Sequence, residues 1–582
     1  MAFCSTDEHL ASAFAHSLRI PHLVARFLVS RGVRTLSEAH HMLCGSVDDV
    51  LDPFLMLGME EAVRWFLDVR QKGEKVFIFG DYDLDGMSAV TLMTKACEDL
   101  GVPTDWRLPN RFGDGYGLSI SAVDELYAAG ARYVVTVDTG ITANAEIAHA
   151  KELGMAVMVI DHHQPSGEGL PPCDVLLDPH QEGDSYPNPE LCGVGVSYKF
   201  LCAVYSRLGM TQPEKFLDLV ALGTLADLVQ MTPENRAFTK FGLKALQHSC
   251  WPGLQEMYSA LMKPHSAVGG IDVMYKIAPL LNAPGRMESP DPALKLLLSK
   301  NRAQANALLA ELKDWNARRK QKEAEITDMA MEQVQAVYGD TVPRVIVVAG
   351  EKWHVGVIGI VAAKLAQEFH RPAAVLSVCD GVAHASARAV PGFNWHKALF
   401  ESRDLFDRWG GHANAAGFSL LADKVDELRM RLDESAKAQG YNGEEEIATG
   451  EYPYDIQVAL HELVVESDQY MPVGDRPAGV PVPQLISVLD FFDRLEPFGG
   501  NFPYPTFRAD NIRVHRLREL RGGHLQMDIS QAGSRVFPAI AFGLRKSKAL
   551  LGKSTPVSIV FEPTWNYFND KKSLQLCIKA IE

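Results

Sequence analysis

The apolar run Val76-Phe77-Ile78-Phe79 leads directly into Gly80-Asp81-Tyr82-Asp83-Leu84-Asp85-Gly86. In an extended segment side chains alternate faces, so Asp81, Asp83 and Asp85 point to one side. Carboxylates that close repel one another, and the stretch contains no Lys or Arg to neutralise them. A fold that keeps them charged must supply a cation, and oxygen donors of this kind favour a hard divalent metal. The stretch therefore predicts the floor of a metal site. On its own it reads equally well as a solvated acidic turn closed by Gly86.

The pattern around it decides between the two. Short apolar runs at 76–79, 133–137, 156–160 and 175–177 predict strands, and amphipathic stretches at 87–100, 119–129, 143–153 and 193–207 predict helices between them. That alternation is the mark of an α/β domain with a mostly parallel sheet. Asp138 ends the second run and Asp161-His162-His163 ends the third. Open α/β sheets bind ligands at the carboxyl ends of their strands, so three strands deliver carboxylate and imidazole groups to one edge. Asp227, in Gly223-Thr224-Leu225-Ala226-Asp227-Leu228, is a further acid after an apolar segment, although alone it reads as a helix end or cap.

With 582 residues the chain exceeds one core and should divide into roughly three to five domains. Its 47% apolar and 22% charged residues suit a globular protein with buried cores. No apolar run approaches the roughly 20 residues that span a bilayer. Met1 to His16 does not resemble a signal peptide, so a cytoplasmic location with no membrane contact is expected. The nine cysteines are scattered without a C-x-x-C pair, which argues for reduced thiols and against a zinc ribbon. A net charge of −16 excludes coating of nucleic acid by bulk attraction, but not an enzyme whose acids hold metals while its basic residues line one groove.

Residues 1–60 are helical in pattern, with Leu23, Val24, Phe27 and Leu28 on one face and Gly32 as a stop. The first α/β unit would occupy 61–290. The segment 291–338, free of Pro and Gly from 293 onward, reads as a long connecting helix. Its Arg318-Arg319-Lys320-Gln321-Lys322 is most simply a solvated face, with DNA-backbone contact as the alternative. A second α/β pattern at 339–440 starts with Arg344 to Val348. It puts His354, Gly356 and Gly359 at a strand-to-helix turn and Gly410-Gly411-His412 near a second helix. Gly440 to Glu446 reads as a linker, and short alternating runs over 450–582 suggest a small β-barrel. There Arg508, Arg513, Arg516, Arg518 and Arg521 cluster beside Phe507 and His515, a composition suited to a single-strand groove, where rings stack on bases.

Asp81-Tyr82-Asp83-Leu84-Asp85-Gly86, Val137-Asp138-Thr139-Gly140, Asp161-His162-His163 and Gly223-Thr224-Leu225-Ala226-Asp227 resemble the motifs of the DHH phosphoesterase superfamily, in that family's order. Within it the chain is similar to the exonucleases specific for single-stranded DNA. The resemblance extends through Asn282 to Met287, Trp353 to Gly359, Ser386 to Val390, Gly410 to Gly417, and Trp565-Asn566 to Leu576. It implies a DHHA1 substrate-binding domain and an OB-fold, with single-stranded DNA, a helicase and a single-strand-binding protein as partners of a monomer acting in DNA repair and recombination. It further implies two ions, Mn²⁺ or Mg²⁺, held by Asp83, Asp85, Asp138, His162 and Asp227, with Asp138 as a bridge. His163 would be an outer or substrate-facing group. Some members carry a histidine where this chain has Phe79. Either one ion loses a nitrogen donor or Asp81 compensates.

Two such ions about 4 Å apart can activate water and stabilise a leaving oxygen, and the nitrogen donor favours Mn²⁺. Charge gained in the transition state calls for arginines, with Arg286 and Arg111 as candidates. Gly113, Gly115 and Gly117 beside Arg111 form a flexible turn or a phosphate approach. The resemblance implies that Arg111, Ser386 and Arg388 hold a 5′-terminal phosphate, which would make cleavage 5′ to 3′ with release of mononucleotides. It also gives His354 and His412 a substrate role. Two other classes share the fold: a DHH oligoribonuclease or cyclic-dinucleotide phosphodiesterase, and a non-catalytic replication factor.

Overall fold

The computed structural model describes residues 7–46, 49–109, 117–167, 169–262, 268–339, 342–441, 452–466, 485–499, 501–520, 523–551, 556–568 and 571–582. The amino-terminal segment forms α1 (Glu8–Leu18), α2 (His22–Ser30) and α3 (Leu36–Cys44). Leu23, Val24, Phe27 and Leu28 of α2 are buried, as their spacing predicts, and Gly32 follows at a φ of 88°. Phe27 packs edge-on against Phe492 and Phe502, far along the chain, so this segment is part of the main core.

After α4 (Met59–Lys72) comes a sheet of β1 (Val76–Gly80), β2 (Thr104–Arg107), β3 (Tyr133–Val137), β4 (Ala156–Ile160) and β5 (Val175–Leu177). The order is β2-β1-β3-β4-β5 and every pair is parallel. Val76 and Ile78 pack with Leu92, Met93 and Val135 on one face, while Phe77 and Phe79 pack with Val123, Ile147 and Val157 on the other. Burial on both faces is why this strand is an unbroken apolar run. Helices α5 (Leu84–Leu100), α6 (Ile120–Ala128), α7 (Asn144–Glu152) and α8 (Gly193–Arg207) connect and cover the strands. The order reverses between β1 and β3, which makes a crevice at their carboxyl ends. That crevice is where Asp81 to Asp85 and Asp138 lie. The apolar α9 (Leu217–Ala226) and then α10 (Pro233–Leu246) complete the lobe.

The expected unbroken helix from 293 is two helices, Asp291–Leu297 and Arg302–Tyr338. The break comes because Asn301 Oδ1 accepts from Gln304 N at 2.9 Å, capping a new amino terminus. The longer helix has 37 residues, about 55 Å. Its basic cluster is paired along the helix itself: Arg318 with Asp314, Arg319 with Glu323, and Lys322 with Glu325. Arg318 and Lys320 are exposed, as a solvated face requires, but Arg319, paired with Glu323, is buried because it lies on the packed side of the helix.

The second lobe is a mixed sheet of β6 (Ile346–Glu351), β7 (Ala373–Cys379), β8 (Val382–Arg388), β9 (Arg408–Gly411) and β10 (Ala415–Leu421), ordered β6-β7-β8-β10-β9. Gly410-Gly411-His412, expected near a helix, forms the end of β9 and the turn of the β9–β10 hairpin. It lies beside a helix only in space, where Trp395 N donates to Ala413 O.

The carboxyl-terminal region begins with β11 (Ile456–Gln457) and a small pair, β12 (Val464–Glu466) and β13 (Leu485–Ser487). Strands β14 (Phe507–Leu520), β15 (His524–Ser530), β16 (Phe537–Ala541), β17 (Val557–Phe568) and β18 (Lys571–Ile581) then close into a five-stranded barrel through the β14–β17 pairing. The linker expected at Gly440 to Glu446 falls mostly outside the described residues.

Candidate metal centre

Each acid at the crevice is held by a different local device. Asp83 caps α5, its Oδ1 accepting from Asp85 N at 2.9 Å and Gly86 N at 3.2 Å. Gly86 is required there, since a Cβ would sit 2.5 Å from Asp81 O. Asp85 is buried, and its two oxygens accept from Gly193 N (2.6 Å) and Val194 N (3.0 Å) at the start of α8. Asp138 follows β3 with a φ of 59°, in the left-handed region, which turns its side chain into the crevice. Asp227 ends α9, its N–H bonded to Gly223 O.

His162 joins these elements. Its Nε2 lies 3.1 Å from Asp138 Oδ1, 3.8 Å from Asp227 Oδ2 and 3.9 Å from Asp85 Oδ2. Ligand atoms of Asp85, His162 and Asp227 fall within 4.8 Å of one another, as do those of Asp81, Asp83 and Asp138, and those of Asp138, His162 and His163.

The electrostatics are those of a crowded anionic site. Burial, then repulsion from Asp83, pushes the Asp81 carboxyl up to about 7. Burial, then Asp85, raises Asp83, and burial with repulsion from Asp85, Asp83 and Asp81 holds Asp138 well above the usual carboxylate range. Burial, then Asp85 and Asp83, lifts Asp227 to about 8. Burial lowers His162, leaving a neutral imidazole able to donate a lone pair. Asp81 Oδ1 and Asp138 Oδ1 are buried without a hydrogen bond, since the Asp138–His162 contact is close but poorly directed. Orphaned carboxylate oxygens beside a neutral imidazole fit a pair of divalent cations of the Mn²⁺ or Mg²⁺ kind.

Asp161 has a separate task. Its Oδ1 accepts from His162 N and from His163 N and Nδ1, and its Oδ2 accepts from Ile141 N. Against burial, the His163 bond keeps it ionised below the usual range, and Asp161 in turn lifts half-exposed His163 to about 9. His163 is thus an imidazolium at the mouth of the site.

Phe79 is fully buried in the cluster on the far face of the sheet, so no ring nitrogen could be supplied from there. Arg286 lies in the short helix Ala283–Met287. Neighbouring Gly285 faces Tyr82 O, and Gly356 of the second lobe packs against Arg286 O. Arg286 therefore stands where the two lobes meet.

Across that joint, His354 caps the helix Val355–Phe369, its Nδ1 accepting from Gly356 N at 3.2 Å. A Cβ on Gly359 would meet Ser386 Oγ at 2.8 Å and an Arg388 nitrogen at 3.2 Å, so Ser386 and Arg388 lie on this helix's first turns. Arg388 Nη1 donates to Ser386 Oγ. His412 is exposed at the hairpin turn. Arg111, with Gly113 and Gly115, falls outside the described residues, as does Arg521.

On the barrel Arg513, Arg516 and Arg518 are exposed. Arg516 lies 3.4 Å from Asp528. Two expected members, Phe507 and Arg508, are corrected. Phe507 is buried in the core because its face of β14 closes the barrel, and Arg508 is paired with Asp510 and Glu582. His515 is exposed, its Nε2 2.9 Å from Ser530 Oγ, and the Phe542 ring is exposed too, edge-on to His524 at 5.2 Å.

Sequence reasoning missed three contributors. A Cβ on Gly193 would fall 2.5 Å from the Asp138 side chain, and one on Gly223 would fall 2.3 Å from Asp85 Oδ1. Asp178, just past β5, is buried with an unpaired Oδ2, and burial raises it to about 7. Its position after the fourth predicted apolar run, 175–177, was the available signal.

Family models match three segments: the DHH family N-terminal domain at 75–224, the DHHA1 domain at 342–438 and the RecJ OB domain at 485–580. The chain is 35% identical over 577 residues to the single-stranded-DNA-specific exonuclease RecJ of Bacillus subtilis strain 168, covering 98% of this chain and 69% of that protein. It is 30% identical over 583 residues to the protein of the same name from Escherichia coli strain K12, covering 97% and 96%. Its fold is similar to that of RecJ from Thermus thermophilus, solved in complex with Mn²⁺, with a TM-score of 0.77 at 24% identity over 99% of this chain and 78% of that one.

Proposed function

We propose, from the premise that this chain belongs to the RecJ family of single-stranded-DNA-specific exonucleases and is a metal-dependent exonuclease, that it cleaves from a 5′-phosphorylated end and releases mononucleotides. The observation that supports metal-dependent cleavage most is His162 Nε2 within 3.9 Å of carboxylates from three separate elements. Asp83, Asp85, Asp138, His162 and Asp227 would hold the ions, with Asp81 Oδ1 available where Phe79 offers nothing. Two Mn²⁺ or Mg²⁺ ions supply an activated water and charge neutralisation at the phosphodiester.

The chain's own groups do the rest. Asp161 fixes the Asp161-His162-His163 turn and keeps His163 protonated, so a cation faces the incoming phosphate. Arg286 borders the same cleft at the joint. Ser386 Oγ, Arg388 and the amino-terminal turn of Val355–Phe369 offer a hydroxyl, a guanidinium and backbone N–H groups to a terminal phosphate. A terminus anchored on one lobe and a scissile bond on the other would set the polarity. Arg513, Arg516 and Arg518 would follow the strand leaving the cleft. We further propose a cytoplasmic monomer that works beside a helicase and a single-strand-binding protein. All eight described cysteines are free, which suits a reducing compartment, and no helix among the described residues is long and apolar enough to cross a membrane.

The test is one oligonucleotide labelled at either end, with Mn²⁺, Mg²⁺ or EDTA, beside Asp138→Ala. Label should leave first from the 5′ end, and both EDTA and Asp138→Ala should abolish cleavage. Activity that survives either condition refutes the metal reading, whereas first release of the 3′ label removes only the polarity.

A further inference from the structure

We propose that residues 494–499 and 501–502 of the barrel domain form a positioning element for the metal centre, acting on Asp227 through the segment between α9 and α10. The inference rests on the metal reading above. Leu228, next to Asp227, has a φ of 59° and is 57% exposed. A leucine in the left-handed region with its side chain in solvent gains nothing there from burial. The conformation persists because both flanks are held.

One flank is α9 itself, where Leu225 packs over Gly270 and Gly499. The other is anchored to the barrel domain. Met231 N donates to Asn501 Oδ1 at 2.9 Å. Arg236, 3% exposed, donates from Nη1 to Leu495 O at 2.8 Å and Pro497 O at 3.3 Å, and its guanidinium sits 4.6 Å from the Phe502 ring. Lys240 Nζ donates to Arg494 O at 2.6 Å. Partly buried Glu496 closes the contact, with Oε2 accepting from Phe498 N and Gly270 N. Inside the lobe, Asn235 Nδ2 ties Gln230 O to Glu190 O, so the same anchor reaches the loop before Gly193 and Val194, whose N–H groups hold Asp85.

Arg236 Nε and Nη2 are buried without a partner. A buried guanidinium satisfied only by two carbonyls of another domain is costly unless that junction must be rigid. What it makes rigid is the strained link that aims Asp227. The domain read as a DNA groove is therefore also a support of the ion site, and Mn²⁺ affinity should depend on it.

The experiment titrates Mn²⁺ against the full-length chain, following free Mn²⁺ by electron paramagnetic resonance, with kcat and KM measured on a 5′-phosphorylated oligonucleotide. Asn501→Ala, an exposed position that should fold, is expected to weaken Mn²⁺ binding by about tenfold. Its kcat should fall at low Mn²⁺ and recover at saturation, with KM unchanged. Asn501→Asp keeps the acceptor and should restore binding. Lys579→Ala loosens the barrel elsewhere, at the Lys579–Glu562 pair, and should leave Mn²⁺ affinity unchanged. A wild-type chain that holds no Mn²⁺ overturns the metal reading and this proposal with it. Wild-type Mn²⁺ affinity in Asn501→Ala, or equal weakening in Lys579→Ala, overturns the positioning role alone.

Discussion

Asp138 adopts a left-handed conformation, at a φ of 59°, that most side chains avoid, and Gly193 leaves the space its carboxylate needs. Gly193→Ala would place a methyl group 2.5 Å from that side chain and displace it. Because misplacement of about 1 Å can cost roughly a hundredfold in rate, cleavage by Gly193→Ala should fall by about that factor, measured at saturating Mn²⁺. Asp81 to Asp85, Asp138 and Asp161 were legible because they follow apolar runs where a strand must end, whereas Asp227 closes helix α9 and alone reads as a cap. The division of labour within Asp161-His162-His163 was not, since only the hydrogen bonds show Asp161 serving both histidines. The same groups govern pH dependence. Asp227, lifted to about 8, holds a proton that the unfolded chain has released, and so does His163, lifted to about 9. Between pH 7 and 9 the folded state therefore binds more protons than the unfolded, and stability of the cation-free chain must fall as pH rises. His162, lowered by burial from an ordinary 6.5, opposes this only below that window. Melting in EDTA at successive pH values should show Tm falling from 7 to 9. Added Mn²⁺ should raise Tm more at pH 8 than at pH 7, since competing protons have then left Asp227.

Strands β1, β3, β4 and β5 and the helices between them could be placed from the sequence because burial on both faces leaves unbroken apolar runs. Strand β2 was not, because Thr104-Asp105-Trp106-Arg107 lies at the sheet edge and is only partly buried. The break before Arg302 was missed for a related reason: an asparagine cap interrupts a helix without Pro or Gly. On β8, Ala383, Ala385 and Ala387 face the core while Ser386 and Arg388 face the helix Val355–Phe369. That alternation presents both polar groups to the helix's amino terminus, where N–H groups and dipole favour an anion. Arg388→Ala should thus reduce the preference for a 5′-phosphorylated over a 5′-hydroxyl oligonucleotide by about tenfold, as expected for one charge-assisted bond. The readout is the ratio of kcat/KM for the two substrates. An unchanged ratio removes Arg388 from the anchor.

Domain order could be read along the chain, but mutual docking could not, because contacts such as Arg31 with Asp455 join residues 424 positions apart and leave no local signal. The two lobes meet with similar economy. Gly356 packs so closely on Arg286 O that an added Cβ would lie 1.8 Å from it, and adjacent Gly285 faces Tyr82 O in the acidic loop. A cleft anchoring a terminus on one lobe and cutting on the other depends on that spacing. Gly356→Ala forces the lobes apart at the joint without touching Asp83, Asp85, Asp138, His162 or Asp227. Overpacking of this kind costs about 1–3 kcal/mol, so the variant should fold with a lowered Tm. Its Mn²⁺ titration should match the wild type, while kcat on a 5′-phosphorylated oligonucleotide falls by about tenfold or more, since under the proposed anchoring a seated terminus would leave the scissile bond short of the ion site. A parallel loss of Mn²⁺ binding would mean that the joint supports the ion site itself. Full activity would mean that the spacing is not set at Gly356.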